Sequence, residues 1–180
     1  MQKSFTAALL TATTYANLKI GVISDSHFNT AYNPYSSASM CTGTEVSEEV
    51  VAPLGRYGCD PSSELLDLMY NKFTESFGKV DVILIPGDSA AHKVAASHDD
   101  EDPTGSHYEA VKENLTATFT KLKEHFPNTL ILPTFGNNDG RVHNEAIDEA
   151  DKSDYYSFVY DLWFNQLSGN QDLANKDEIE

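Results

Sequence analysis

Leu18-Lys19-Ile20-Gly21-Val22-Ile23-Ser24-Asp25-Ser26-His27 is an apolar, β-rich run that ends on a carboxylate and an imidazole. The arrangement returns twice. Val80-Asp81-Val82-Ile83-Leu84-Ile85 leads into Pro86-Gly87-Asp88, and Thr129-Leu130-Ile131-Leu132-Pro133-Thr134-Phe135 leads into Gly136-Asn137-Asn138-Asp139. Helical periodicity separates the runs, so the order is β-loop-α-β-loop-α-β-loop-α. That order predicts an α/β fold with right-handed crossovers and a parallel sheet. In an open parallel sheet the binding crevice lies at the carboxyl ends of the strands, which is where all three polar endings fall.

Working outward, residues 28–60 are dense in Asn, Ser, Thr, Gly and Pro and read as a long loop, a length that usually marks function. Asp60-Pro61 reads as the start of a helix, Asp as N-cap and Pro in the first turn, with Leu66, Met69 or Tyr70, Phe73 and Phe77 as its buried stripe and Gly78 as its stop. A second helix carries Val111, Leu115, Phe119, Leu122 and Phe126 at helical spacing. A third, from about Ser153 to Leu167, is expected to bury Tyr156, Val159, Tyr160, Trp163, Phe164 and Leu167 as core. Asp99-Asp100-Glu101-Asp102 reads as a solvated loop, since like charges repel.

The chain has 180 residues, enough for one domain with a real core, or part of one, and a formal net charge of −16. Without a Lys/Arg cluster to neutralise phosphates, nucleic acid is not an expected partner, and neither is an anionic membrane surface. Lys3, the short apolar stretch Phe5 to Leu10 and small Ala16 read as a signal peptide over 1–16, followed by a domain over 17–168 and a polar acidic tail over 169–180. No later stretch approaches the ~20 apolar residues of a membrane span. Cys41 and Cys59 flank a Gly/Ser/Thr/Pro-rich segment. An oxidising compartment could close them into a staple of ~3 kcal/mol, whereas in the cytosol they would be two unrelated thiols. Asn114-Leu115-Thr116 is a glycosylation sequon on a predicted helix face, meaningful if the chain enters the secretory path.

Asp25 and His27 are two apart, so a strand that persisted to its end would point both to one face. A carboxylate and an imidazole held that way form a half-site for zinc, manganese or iron. Gly87 lets the backbone turn sharply and aim Asp88 into the crevice, where a carboxylate can bridge two cations. Asn137 offers a neutral amide oxygen for a second metal. Two such ions would activate water and polarise a phosphoryl oxygen.

Asp25-x-His27, Gly87-Asp88 and Gly136-Asn137-x-Asp139 resemble the first three blocks of the calcineurin-like metallophosphoesterases. More narrowly, from about Ile20 to Phe164, the chain resembles the acid sphingomyelinase-like phosphodiesterases: Tyr57-Gly58-Cys59-Asp60-Pro61, Gly87-Asp88-Ser89-Ala90-Ala91-His92, Phe126-Pro127-Asn128 and Tyr160-Asp161-Leu162-Trp163 carry the similarity. The resemblance implies the parallel half of an αββα sandwich, two divalent ions, expected to be zinc, and a phosphate-ester substrate. It implies a Cys41–Cys59 disulfide and a secreted, lysosomal or vacuolar location. It implies that Asp25 and His27 hold the first metal, Asp88 bridges, Asn137 holds the second, and His92 faces the phosphate as a proton donor.

Two departures qualify those implications. Sphingomyelinase-like members usually carry histidine where this chain has Asn138, and an amide is no proton donor near neutral pH. Gly136-Asn137-Asn138-Asp139 followed by His143-Asn144 instead resembles endopolyphosphatase-like relatives, so polyphosphate hydrolysis is an alternative expectation, with Asn138 contacting phosphate and His143 as a substitute donor. The family also completes its site with three further histidines, and none of the six histidines here follows His143. The expectation is therefore the N-terminal part of a hydrolase, with an incomplete ligand shell and one sheet face awaiting the rest of the fold or a partner chain. A third expectation is a secreted glycoprotein that binds phosphorylated ligands or a partner without turnover.

Overall fold

The computed structural model of the chain describes residues 17–47, 49, 51–97 and 105–167. The expected signal peptide, the Asp99–Asp102 cluster and the tail lie outside the described residues. Three short strands, β1 (Ile20–Val22), β2 (Val82–Ile85) and β3 (Leu130–Pro133), form a parallel sheet in the order β1-β2-β3. Helix α1 (Ser63–Phe77) lies between β1 and β2 in sequence, α2 (Ser106–His125) between β2 and β3, and α3 (Lys152–Tyr160) follows. The chain is mixed α/β with a parallel sheet, as its element order predicts.

Register explains the core. Gly21, Ile83 and Ile131 are partners across the sheet, and strand alternation puts Ile23 and Ile85 on the same side. That side is covered by Leu66 and Tyr70 of α1 and by Val111, Leu115, Phe119 and Leu122 of α2, all essentially buried. On the other side Ile20 is 53% exposed, Val22 58% and Leu132 37%. The expectation of one uncovered sheet face therefore holds among the described residues.

Local expectations are corrected in three places. Ser62, not Asp60, caps α1: its Oγ accepts from the Leu65 N–H at 3.1 Å, and the helix begins at Ser63. The Asp60 carboxylate is engaged elsewhere. Phe77 is 64% exposed, its ring against Phe73, although Gly78 stops the helix as expected, its N–H bonded to the Thr74 carbonyl at 2.9 Å. In α3 the buried ring is Tyr155 and Tyr156 is 45% exposed. Beyond Tyr160 the backbone widens into a π-type turn over Asp161–Gln166, which changes the angular step that a 3.6-residue reading assumes. Phe135, itself 39% exposed, packs on buried Tyr155 and half-buried Trp163.

Candidate metal centre

Beyond the strand ends, the three loops remain tied to one another. The Ile23 N–H donates to the Leu84 carbonyl, Asp25 to Gly87, His27 to Asp88 and Phe28 to Ser89. The third loop joins through Ala96, whose N–H donates to the Arg141 carbonyl and whose carbonyl accepts from His143. Glycine makes the closest approach sterically possible. A Cβ on Gly87 would lie 2.3 Å from the Gly136 nitrogen, and one on Gly136 would lie 2.2 Å from the Asp88 nitrogen.

Here the alternation argument for Asp25 and His27 fails, although its conclusion survives. β1 ends at Val22, and Asp25, His27 and Asp88 all have left-handed backbone, with φ of 55°, 38° and 53°. Non-glycine residues pay strain there, and such strain persists where the surroundings over-determine it, commonly at functional sites. The twisted loops, rather than an extended strand, aim these side chains.

They converge. Asp25, His27 and Asp88 each bring a ligand atom within 4.8 Å of the others. His27 Nδ1–H donates to the Ala90 carbonyl at 3.1 Å, since a carbonyl can only accept. That bond puts a hydrogen on Nδ1 and turns Nε2, the other ring nitrogen, toward Asp25, whose Oδ1 is 3.9 Å away. Two carboxylates and an imidazole so placed suit a divalent transition metal.

Asp88 Oδ1 accepts from the Asn138 backbone N–H at 2.9 Å and from its Nδ2 at 3.2 Å. Asn138 is buried, so its amide braces the Asp88 carboxylate. Asn137 sits on the same loop and is exposed; its Nδ2 donates to His143 Nε2 at 2.8 Å. His92 stacks on His27, ring centroids 3.9 Å apart. It lines, with Asn138, His143, His107, Lys93 and Met40, a cleft of about 810 Å³.

Two functional neighbours escaped the sequence reading. Asp139, 1% exposed, accepts from the Ser89 and Ala90 N–H groups at 2.8 and 2.9 Å through Oδ1, and from Gly136 at 2.8 Å through Oδ2. Burial pushes its carboxyl above the ordinary range, the three backbone donors oppose that, and Asp88 adds to it. Asp139 thus pins the third loop to the second, while Tyr155 donates its hydroxyl to the Asp139 carbonyl. The other is Asp60, whose adjacency to Pro61 suggested a helix cap and nothing more. Both belong to motifs legible in the sequence, but a carboxylate's partner 30 to 50 residues away is not.

Cys41 and Cys59 form a disulfide, with Cα atoms 5.7 Å apart. Asn114 is on a helix, as expected. It lies on the inner face of α2, 3% exposed, its Nδ2 donating to Thr30 Oγ1 at 3.1 Å and to the Ala110 carbonyl at 2.8 Å. The nitrogen that would carry a glycan is enclosed, because helical spacing puts Asn114 beside the Val111–Leu115 stripe.

No protein-family model matches the chain. Among curated proteins, it is 28% identical over 170 residues to a protein named Sphingomyelinase phosphodiesterase D from Dictyostelium discoideum, an alignment covering 83% of this chain and 35% of that relative. It is 29% identical over 122 residues to Sphingomyelin phosphodiesterase A of the same organism, covering 65% of this chain and 19% of that relative. The chain therefore spans about a third, and about a fifth, of the lengths of these relatives. These similarities support an acid sphingomyelinase-like relationship. No helix among the described residues is long and apolar enough to cross a membrane.

Proposed function

We propose that this chain supplies the first half of a dinuclear metal site in an acid sphingomyelinase-like hydrolase of phosphodiesters, within the calcineurin-like metallophosphoesterase superfamily. The carrying observation is the convergence of Asp25, His27 and Asp88, with His27 Nε2 turned toward Asp25. Asp25, His27 and Asp88 would hold the first ion, Asp88 reaching the second with Asn137, and zinc fits a set of carboxylate and imidazole donors. Bound metal supplies Lewis acidity, which activates water and polarises a phosphoryl oxygen. This chain's own residues orient the substrate: Asn138 holds Asp88 in place, and His92 presents its ring to the cleft, where a proton can be delivered to a leaving oxygen. Full occupancy by two ions needs further imidazoles, supplied by a longer polypeptide or a partner covering the open sheet face. The disulfide fits a secreted or lysosome-like oxidising lumen.

The test is zinc and manganese titration of the chain and of Asp88→Asn, with turnover of a chromogenic phosphodiester followed alongside. Metal binding that disappears in Asp88→Asn is expected, together with turnover that rises when three further histidines are supplied. Metal binding unchanged in Asp88→Asn would overturn the site. A second reading is binding of phosphorylated ligands without hydrolysis; Asn138 favours it, because its amide is tied to Asp88 and has no proton to give. Tight phosphate binding with no turnover in the completed site would select it. Polyphosphate as substrate is distinguished by product analysis on polyphosphate against a sphingomyelin-like diester.

A further inference from the structure

We infer that Asp60 is the positioning residue for His92, gripping its backbone and its ring so that Nε2 is the edge offered to the cleft. The inference rests on the hydrolase reading for what His92 does there, but not for the coupling itself. Asp60 Oδ2 accepts from the His92 backbone N–H at 2.7 Å, and Oδ1 lies 2.7 Å from His92 Nδ1. Both oxygens of one carboxylate are thus spent on one residue 32 positions away. An ionised carboxylate only accepts, so Nδ1 carries the hydrogen and Nε2 stands on the opposite edge of the ring. The Asp60 side chain is 8% exposed and that of His92 49%, so a buried acceptor holds a ring that meets solvent.

The frame around Asp60 is rigid for identifiable reasons. Cys59, its neighbour, is covalently tied to Cys41. The Pro61 carbonyl accepts from the Asn29 N–H at 3.2 Å, and Ser62 begins α1 as its cap. Because Ser62 satisfies the helix end, Asp60 is released from capping. On its far side the His92 ring stacks on His27, so Asp60 and His27 together leave the ring little freedom. A carboxylate that orients an imidazole and fixes its tautomer is the recurring way in which proteins aim a histidine.

The test compares the full chain with Asp60→Asn, Asp60→Ala, His92→Ala and the Asp60→Ala/His92→Ala double variant. The tautomer of His92 is read by nitrogen-15 NMR near pH 8, roughly 1.5 units above the ordinary imidazole range. The expected result is a single Nδ1–H tautomer in the native chain, retained in part in Asp60→Asn, whose amide oxygen can still accept one bond, and averaged in Asp60→Ala. Where phosphodiester turnover is measurable, Asp60→Ala should lower kcat by roughly 10- to 100-fold with KM little changed, and should cost nothing further once His92 is gone. A native His92 tautomer in Asp60→Ala overturns the inference. So does an equal loss of kcat from Asp60→Ala with and without His92, which would mark Asp60 as merely structural. Absence of turnover even when the three further histidines are supplied, with the tautomer still dependent on Asp60, sinks the hydrolase reading and leaves the coupling standing.

Discussion

The two faces of the three-stranded sheet are built from the same kinds of residue and live in different solvents. On one, Ile83 and Ile131 are wholly buried under α1 and α2. On the other, Ile20 and Val22 of β1 and Leu132 of β3 stand 53%, 58% and 37% exposed. β-Branched and aliphatic residues on both parities are the pattern of a sheet meant to be covered twice. The strands thus carry apolar residues for two interfaces, and among the described residues the helices fill one. An aliphatic face that the described residues leave open invites association.

The contrast can be broken most forcefully at its centre. Ile83→Ala should cost about 2–5 kcal/mol, read as a fall in denaturant midpoint, because it opens a cavity beneath two helices. A loss under about 1 kcal/mol would mean that the covered face is loosely packed. One position along β1, neighbouring residues sharpen the comparison. A Cβ on Gly21 would meet Phe73 Cζ at 2.5 Å, so Gly21→Val should cost about 1–3 kcal/mol as the Phe73 ring is displaced.

A smaller effect lies where the covering helices meet. Asp67 of α1 accepts from Lys121 of α2 at 2.7 and 2.8 Å and pairs with His125 at 2.9 Å. Burial alone would raise its carboxyl pKa, yet the bonds and charges of Lys121 and His125 outweigh it and hold the group below its ordinary 3.8. A depressed carboxyl stabilises the fold above that value, and the contribution is lost as pH falls through the lowered folded pKa. Lys121→Met should therefore remove up to about 1 kcal/mol at neutral pH and less in strong acid, a trend readable from thermal melts across pH; the pair is partly exposed and screened.

Least of all should change on the open face. Val22→Thr and Ile20→Thr are expected to alter stability by no more than about 0.5 kcal/mol while lowering self-association in sedimentation velocity. A cost matching that of Ile83→Ala would show that this face is covered in solution.

Much of this was legible in the sequence. The three apolar runs, their polar endings and the spacing of α1 and α2 were plain, because burial on a helix or strand repeats with a short period. The trio Asp25, His27 and Asp88 was legible as residue types at strand ends, though not by the geometry assumed: Asp25 and His27 converge through left-handed loop backbone, not strand alternation. Tyr155, not Tyr156, is the ring that α3 buries, because it stands in line with Val159 and Leu162 at helical spacing. The sequon at Asn114 is legible from three letters, whereas its 3% exposure is not.

Composition and periodicity, which act over a few residues, determined that this chain would be an α/β unit with a metal-suited crevice at its strand ends. Only the tertiary structure decided which carboxylates converge at the candidate metal centre and which tie the scaffold. Asp60, Asp88 and Asp139 are chemically alike in the sequence; packing sets one against a histidine, one beside Asp25 and His27, and one on three backbone amides. A carboxylate's role is set by the donors that surround it and the water it loses, and in this chain those donors come from segments tens of residues away.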